Sequence, residues 1–221
     1  MENQGTTPAE QAARQLSYQL RQLIMTGEYG TGSWLKQIEI ERRFGVNRFT
    51  VRSAFNELTV AGLLEHVPYR GHRVKAHTLQ ERIELSEARA LIESVAAVQA
   101  LQHIDEAGLQ QLTELAEQFR QALEAGDRPT MVAHNFAFHR LFYSYCRNRY
   151  ISRLVEDMRE RGVTGAANGW RTDQLQRLSC QDHFEMVEAL RARDGARLQT
   201  LIHLHLNRWR EGLPAEAEPA Q

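Results

Sequence analysis

The sequence predicts a mainly α protein in two parts, an N-terminal winged helix-turn-helix over residues 9–76 and a C-terminal all-α bundle of six or seven helices over 79–213. Three observations predict this. Gln37–Ala76 runs as short helix, tight turn, longer helix and hairpin, the order of a winged helix-turn-helix. From Leu79 onward apolar residues recur at helical spacing and no convincing strand appears. The charge is split: residues 1–78 hold ten Lys/Arg against seven Asp/Glu, and residues 79–221 hold seventeen against twenty-one. The total of −1 therefore conceals a basic first part and an acidic second part.

Residues 1–8 read as frayed and polar. Glu10 to Thr26 reads as a helix with the stripe Ala13, Leu16, Leu20, Leu23 and Ile24, broken by Gly27–Gly32. The motif follows. Its turn lies at Phe44-Gly45-Val46, and Asn47 is a good N-cap for a helix from about Arg48 to Ala61. Val51, Ala54, Phe55, Leu58 and Gly62 make the inward stripe of that helix, while Arg48, Arg52 and Asn56 repeat on its flank. Arginine can grip a guanine edge with two donors, and asparagine an adenine edge. Leu64–Val67 and Arg73–Ala76 are expected to pair as strands around Pro68-Tyr69-Arg70-Gly71-His72, with Arg70 and Gly71 suited to a minor groove. From Arg42 to Lys75 there are seven Lys/Arg and two Asp/Glu, which favours a double-stranded DNA partner over a merely solvated helix. The candidate contacts are Arg43, Arg48, Phe49, Thr50, Arg52, Asn56, Arg70, Gly71 and His72.

His77-Thr78-Leu79 is a short joint without a Gly/Ser run. In the second part, Leu79–Gln102 carries Ile83, Leu91, Val95 and Val98 as its apolar positions. Leu109–Ala125 follows, then a helix opened by Pro129 and running to about Cys146. Tyr150–Arg161 is expected to end at Gly162, with a Gly-rich loop from Gly162 to Trp170. Asp173–Arg193 and Ala196–Leu213 complete the set, and Pro214–Gln221 reads as a disordered tail.

No run of about 18 apolar residues exists, so no membrane span is expected. The first residues lack a charged start followed by an apolar core, so no secretory signal is expected. Cys146 and Cys180 are far apart and form no CxxC, which fits reduced thiols in a cytoplasmic protein and core positions.

Three of the expected bundle helices each carry a histidine in the apolar stripe. Asn135, Phe138, His139 and Phe142 share one face; His183 shares another with Met186, Val187 and Leu190; His205 shares a third with Leu198, Leu201, Ile202 and Trp209. One such histidine is usually a satisfied core residue. Three on separate helices each need a partner, because an unpaired buried polar group costs a few kcal/mol. A shared divalent ion would satisfy all three, with Asn135 adding a carbonyl oxygen. Imidazole suits zinc, nickel, copper or iron, with zinc or nickel expected here. Four neutral ligands leave the ion's charge uncancelled, so the pocket should attract a small organic acid, most simply a carboxylate. Arg89 and Arg140 could help bind it, and each is equally readable as a solvated residue at a helix edge.

The chain resembles a known family in both parts. Gly30-x-Gly32-Ser33-x-Leu35, Phe44-Gly45-Val46-Asn47-Arg48, Val51-Arg52-x-Ala54, Leu58, Gly62-Leu63-Leu64 and Arg70-Gly71 resemble the GntR family of bacterial regulators over about residues 10–76. The resemblance implies operator contacts at Arg48 and Arg52 and a wing glycine, Gly71, in the minor groove. Thr31 and Thr50 stand where that family usually has proline, Phe49 where it has threonine, and Ser53 where it has an acid. Asn135-x-x-Phe138-His139, His183-x-x-Met186-Val187-x-Ala189-Leu190 and Arg193-Asp194 leading to His205-Leu206 resemble the ligand-binding (FCD) domain of its FadR-like branch. That branch often holds a metal with an acid and three histidines, and here Asn135 replaces the acid.

The expected function is a DNA-binding transcriptional regulator, and a repressor by the commoner family behaviour. It would act as a homodimer on a palindromic operator and be controlled by a carboxylate at the metal. The alternative is a metal-dependent hydrolase with a DNA-binding arm, but no HExxH, nucleophile elbow or phosphate loop appears. A purely structural metal is a third reading. An enzyme is not expected.

Overall fold

The computed structural model describes residues 7–169 and 172–212, and the chain divides into two compact units, Met1–His77 and Thr78–Gln221. The expected tail at 214–221 lies outside the described residues, as do residues 1–6 of the expected frayed start.

In the first unit, α1 (Pro8–Met25) begins with a capping box: Thr7 accepts from the Glu10 amide, and Glu10 accepts from the Thr7 amide. Its buried side chains include Ala13, Leu16, Leu20 and Ile24, and it packs against α3. After the two-residue strand β1 (Trp34–Leu35) comes α2 (Gln37–Phe44), which ends at Gly45 with φ +63°. Glycine adopts that left-handed conformation without a Cβ penalty, which lets the chain turn sharply into α3 (Arg48–Val60). Asn47 caps α3 by accepting from the Thr50 amide. Val51, Ala54, Phe55 and Leu58 are buried, as their spacing requires.

β2 (Leu64–Val67) and β3 (Gly71–Val74) form the wing, and the antiparallel sheet has the order β1-β3-β2. β3 starts two residues earlier than expected. Only Pro68, Tyr69 and Arg70 make the turn, with Tyr69 at φ +63° and the Arg70 amide donating to the Val67 carbonyl. Pairing therefore begins at Val67↔Gly71 and runs to Leu64↔Val74. β1 pairs with β3 at Trp34↔Arg73, and two residues are too few for an alternation to be seen in sequence.

The second unit contains α4 (Leu79–His103), α5 (Glu106–Glu124), α6 (Arg128–Ser144), α7 (Arg149–Gly169), α8 (Asp173–Arg191) and α9 (Gly195–Asn207). A 3₁₀ turn, η1 (Arg208–Gly212), follows, so the last helix ends sooner than expected. α5 packs on α6 and α8, α4 on α7 and α9, and α8 on α9.

Two further expectations are corrected. α7 continues helically through Gly162 to Gly169, where a loop was expected. A glycine weakens a helix by about 1 kcal/mol against alanine but does not end one as proline does, and this stretch has no proline. On α4, Leu91 and Val95 are 67% and 46% exposed. The buried stripe is instead Ser86, Ala90, Glu93, Ser94, Ala96, Ala97 and Ala100. α4 packs through its small residues, which let neighbouring backbones approach, and the large aliphatic residues misled the periodicity.

Candidate DNA-reading face and candidate metal centre

On α3 the sequence-predicted residues sort by direction. Arg48, Phe49, Arg52 and Asn56 are exposed. Thr50 is turned inward at 6% exposure, and its hydroxyl donates to the Asn47 carboxamide oxygen, so it supports the cap and offers no surface contact. Arg43 is exposed, yet it is ion-paired to Glu28 at 2.6 Å and lies over the Tyr29 and Phe44 rings. Its first role is to tie α2 to the turn before β1. On the wing, Arg70 is exposed with its guanidinium 4.7 Å from the centre of the Trp34 ring. Gly71 has φ +99°, and nothing lies within 4 Å of where a Cβ would stand. His72 is half-buried between Phe55 and His66, at 4.9 and 4.8 Å between ring centres. Burial, and then the neighbouring His66, lowers its pKa.

The second unit brings its three stripe histidines together. His139 on α6 and His183 on α8 are fully buried, and His205 on α9 is nearly so. His139 Nε2 lies 3.1 Å from His205 Nε2 and 3.2 Å from His183 Nε2. The three candidate ligand atoms are all within 4.8 Å of one another. Phe119 and Phe138 stand 5.0 and 4.4 Å from the His183 ring, so the cluster sits in an aromatic box.

The nitrogens cannot satisfy one another. A neutral His205 that donates its Nδ1 proton to Asp182 Oδ2, 3.2 Å away, leaves its Nε2 as a bare lone pair. His139 Nε2 then faces two nitrogens but carries either one proton or one lone pair, so one contact must fail. The Nδ1 atoms of His139 and His183 and the Oδ1 atom of Asn135, buried one turn before His139, have no hydrogen-bond partner. A cation among the three Nε2 atoms removes the conflict. Two imidazole nitrogens about 2.1 Å from one ion lie roughly 3.0–3.4 Å apart between right-angle and tetrahedral geometry, and the two contacts made by His139 match a shared transition metal. Asp182 in turn is held by Arg208, whose Nη2 donates to Oδ1 at 2.8 Å. A carboxylate behind a ligating histidine fixes its tautomer and orientation.

Beside this cluster lies a charged group that sequence reasoning missed. Glu93 on α4 is 1% exposed. It accepts from Arg89 Nε at 2.7 Å, from Arg159 Nη1 at 2.7 Å and from the Tyr143 hydroxyl at 2.8 Å. Burial pushes its pKa up, but the opposing pull of Arg159 and Arg89 prevails and the net shift is downward, so it stays ionised. Two arginines against one carboxylate leave one positive charge. The Tyr143 ring stacks on His139 at 6.1 Å, which joins the two groups. Of the two arginines expected to bind an anion, Arg89 is in this group, whereas Arg140 is exposed, about 100° round α6 from His139. Glu93 had a visible signal: an acid in the alanine stripe of α4, with Arg89 one turn before it. Arg159 came from a helix whose inward face was not assigned. His203 is exposed, and Cys146 and Cys180 are buried free thiols, with burial pushing Cys180 up to about 11.

Residues 12–74 match the model of the bacterial regulatory proteins of the gntR family, and residues 84–208 match the FCD domain. The HTH-type transcriptional regulator YdhC of Bacillus subtilis (strain 168) is 26% identical over 143 residues, 64% of this chain and 64% of that protein. A probable D-xylose utilization operon transcriptional repressor of Paenarthrobacter nicotinovorans is 25% identical over 194 residues, 88% of this chain and 84% of that protein. The solved structure of McbR/YncC of E. coli superposes with a TM-score of 0.79 at 20% identity, covering 89% of this chain and 94% of that one.

A pH dependence follows from the buried histidines. Burial, and next Arg159 for His139 and His205 for His183, holds both rings well below their ordinary 6.5. Below that value the unfolded chain takes up protons that the fold resists, so the stability tied to the neutral rings is full above it and is lost as pH falls toward the depressed folded values. Denaturant titration of metal-free protein should give midpoints flat between about pH 7 and 8 and falling between about 6.5 and 5. The double variant His139→Phe, His183→Phe should flatten that fall. Equal slopes in variant and wild type would contradict the assignment.

Proposed function

The chain belongs to the GntR family of bacterial regulatory proteins and carries its FCD domain, and from that membership we propose a repressor that releases its operator when a small carboxylate binds at a metal-containing pocket. It is a transcriptional regulator. Its domains are taken as residues 9–76 for reading DNA and 79–213 for sensing. A homodimer on a palindromic operator suits a helix-turn-helix reader.

The observation that carries this reading is the convergence of three Nε2 atoms with no protein carboxylate among them. His139, His183 and His205 would hold the ion, zinc or nickel, with Asn135 supplying a neutral oxygen. When bound, that ion supplies uncancelled positive charge able to take a carboxylate. Asp182 and Arg208 keep the His205 ring turned inward. The spare charge of Arg89 and Arg159 over Glu93 favours an anion beside the cluster, so Arg159 replaces Arg140 in the proposed effector site. The hydrolase alternative has no support. The relatives named above are regulators, and Glu185, the general-base candidate two residues past His183, accepts from Gln181 at 2.7 Å.

Reading of DNA rests on Arg48 and Arg52 beside the wing. Changing either to Ala should weaken specific operator binding by about 1–3 kcal/mol if it makes a bidentate base contact. Gel-shift titration at fixed salt measures this, and unchanged affinity in a folded double variant would refute it.

Sensing is tested by His205→Ala, which should lose bound metal and effector response together while operator affinity persists, because Arg48 and Arg52 lie in the other unit. Asn135→Asp should bind metal more tightly and carboxylates more weakly, since it cancels one charge. Metal analysis after incubation with zinc or nickel, then calorimetry with small carboxylic acids, gives both readouts. Wild-type protein that retains neither metal would end the metal part. A triple histidine variant that still releases DNA on adding effector would end the coupling.

A further inference from the structure

The recognition helix presents an unusual outermost residue. With about 100° per residue, the buried positions Thr50, Val51, Ala54, Phe55 and Leu58 centre on one direction of α3. Phe49 stands opposite that centre, and Ser53, Asn56 and Val60 lie within about 60° of arc around it. The Phe49 ring is 79% exposed. Arg48 and Arg52 flank it on one side and are exposed as well. Asn47 fixes the start of the helix and turns Thr50 inward, so nothing from the same turn covers the ring.

An exposed phenylalanine is often part of an apolar docking patch, but on the outer arc of α3 this ring stands among polar side chains. Its neighbours on the arc are Ser53 and Asn56, and the other exposed apolar residue of α3, Val60 at 82%, lies about 16 Å farther along the helix. A single apolar ring among hydrogen-bonding side chains suits a surface that is itself polar with isolated apolar points. The major-groove floor has that character, and the apolar point it offers is the 5-methyl group of thymine. Recognition helices meet base edges with their N-terminal residues, and Phe49 is the second residue of α3.

We infer that the Phe49 ring reads the 5-methyl group of a thymine in each operator half-site, which makes Phe49 a specificity-determining residue of this reader. The inference rests on the regulator reading above and adds to it the base identity and the atom recognised. Arg48 and Arg52 supply affinity and guanine or phosphate contacts on the flank, while Phe49 discriminates by the methyl group alone.

The test uses the full chain and a random-sequence DNA duplex pool, from which bound duplexes are selected and sequenced. Each thymine of the selected sequence is then replaced by deoxyuridine, which removes only the methyl group. One symmetric pair of positions should weaken wild-type binding, by roughly three- to fivefold per half-site, as expected for burying one methyl group. Phe49→Ala should still bind the selected duplex but bind its thymine and deoxyuridine forms equally. Phe49→Leu, which keeps an apolar side chain, should retain part of the discrimination. The inference is overturned if no position distinguishes thymine from deoxyuridine in the wild type, or if Phe49→Ala keeps the wild-type ratio. Selection of a defined sequence without methyl sensitivity leaves the regulator reading standing and removes only this inference. Failure to select any sequence removes both.

Discussion

One atom of His139 constrains the second unit. Its Nε2 faces two other imidazole nitrogens at 3.1 and 3.2 Å, and an atom with one proton or one lone pair cannot serve both. His139 and His183 come from helices that bury aromatic and aliphatic side chains on the same faces, so neither ring can swing out to water without opening the core. Packing therefore enforces a polar contact that packing alone cannot satisfy. A cation would resolve it, and that is the role of the metal centre proposed above.

Charge around the cluster is arranged to match. Asp182 and Arg208 form a neutral pair behind His205, holding its ring without adding charge to the centre. Glu93 is balanced by two arginines, so the adjoining group carries net positive charge. Burying such groups is costly unless each is paired, and the extra guanidinium is the feature that stability alone does not require. The anionic effector proposed above would give it a purpose. Asp182 and Arg208 also connect a candidate ligand on α9 to the 3₁₀ turn that follows it, a route by which occupancy of the centre can reach the chain's last described element.

Legibility in the sequence followed the physics of each signal. The helix-turn-helix was readable because its signals are local: the Gly45 turn, the Asn47 cap and the stripe from Val51 to Leu58 act within a few residues. The three histidines were readable because each interrupts an apolar stripe at helical spacing. Glu93 was missed because α4 packs through alanines, so the stripe containing it looked less apolar than the exposed Leu91 and Val95. Asp182 was hidden by the more conspicuous His183 beside it. Arg159 depends on which face of α7 turns inward, and that is decided by contacts with α4. The register of β3 turned on a three-residue loop with Tyr69 at positive φ, a conformation that tyrosine does not advertise.

The account stands or falls on the ligands of the proposed ion. X-ray absorption spectroscopy of the protein loaded with zinc or nickel tests them directly. Three imidazole nitrogens at about 2.0–2.1 Å, with oxygen completing the shell, is the predicted result. A shell containing sulfur at about 2.3 Å, from Cys146 or Cys180, or one made of oxygen alone, would contradict it.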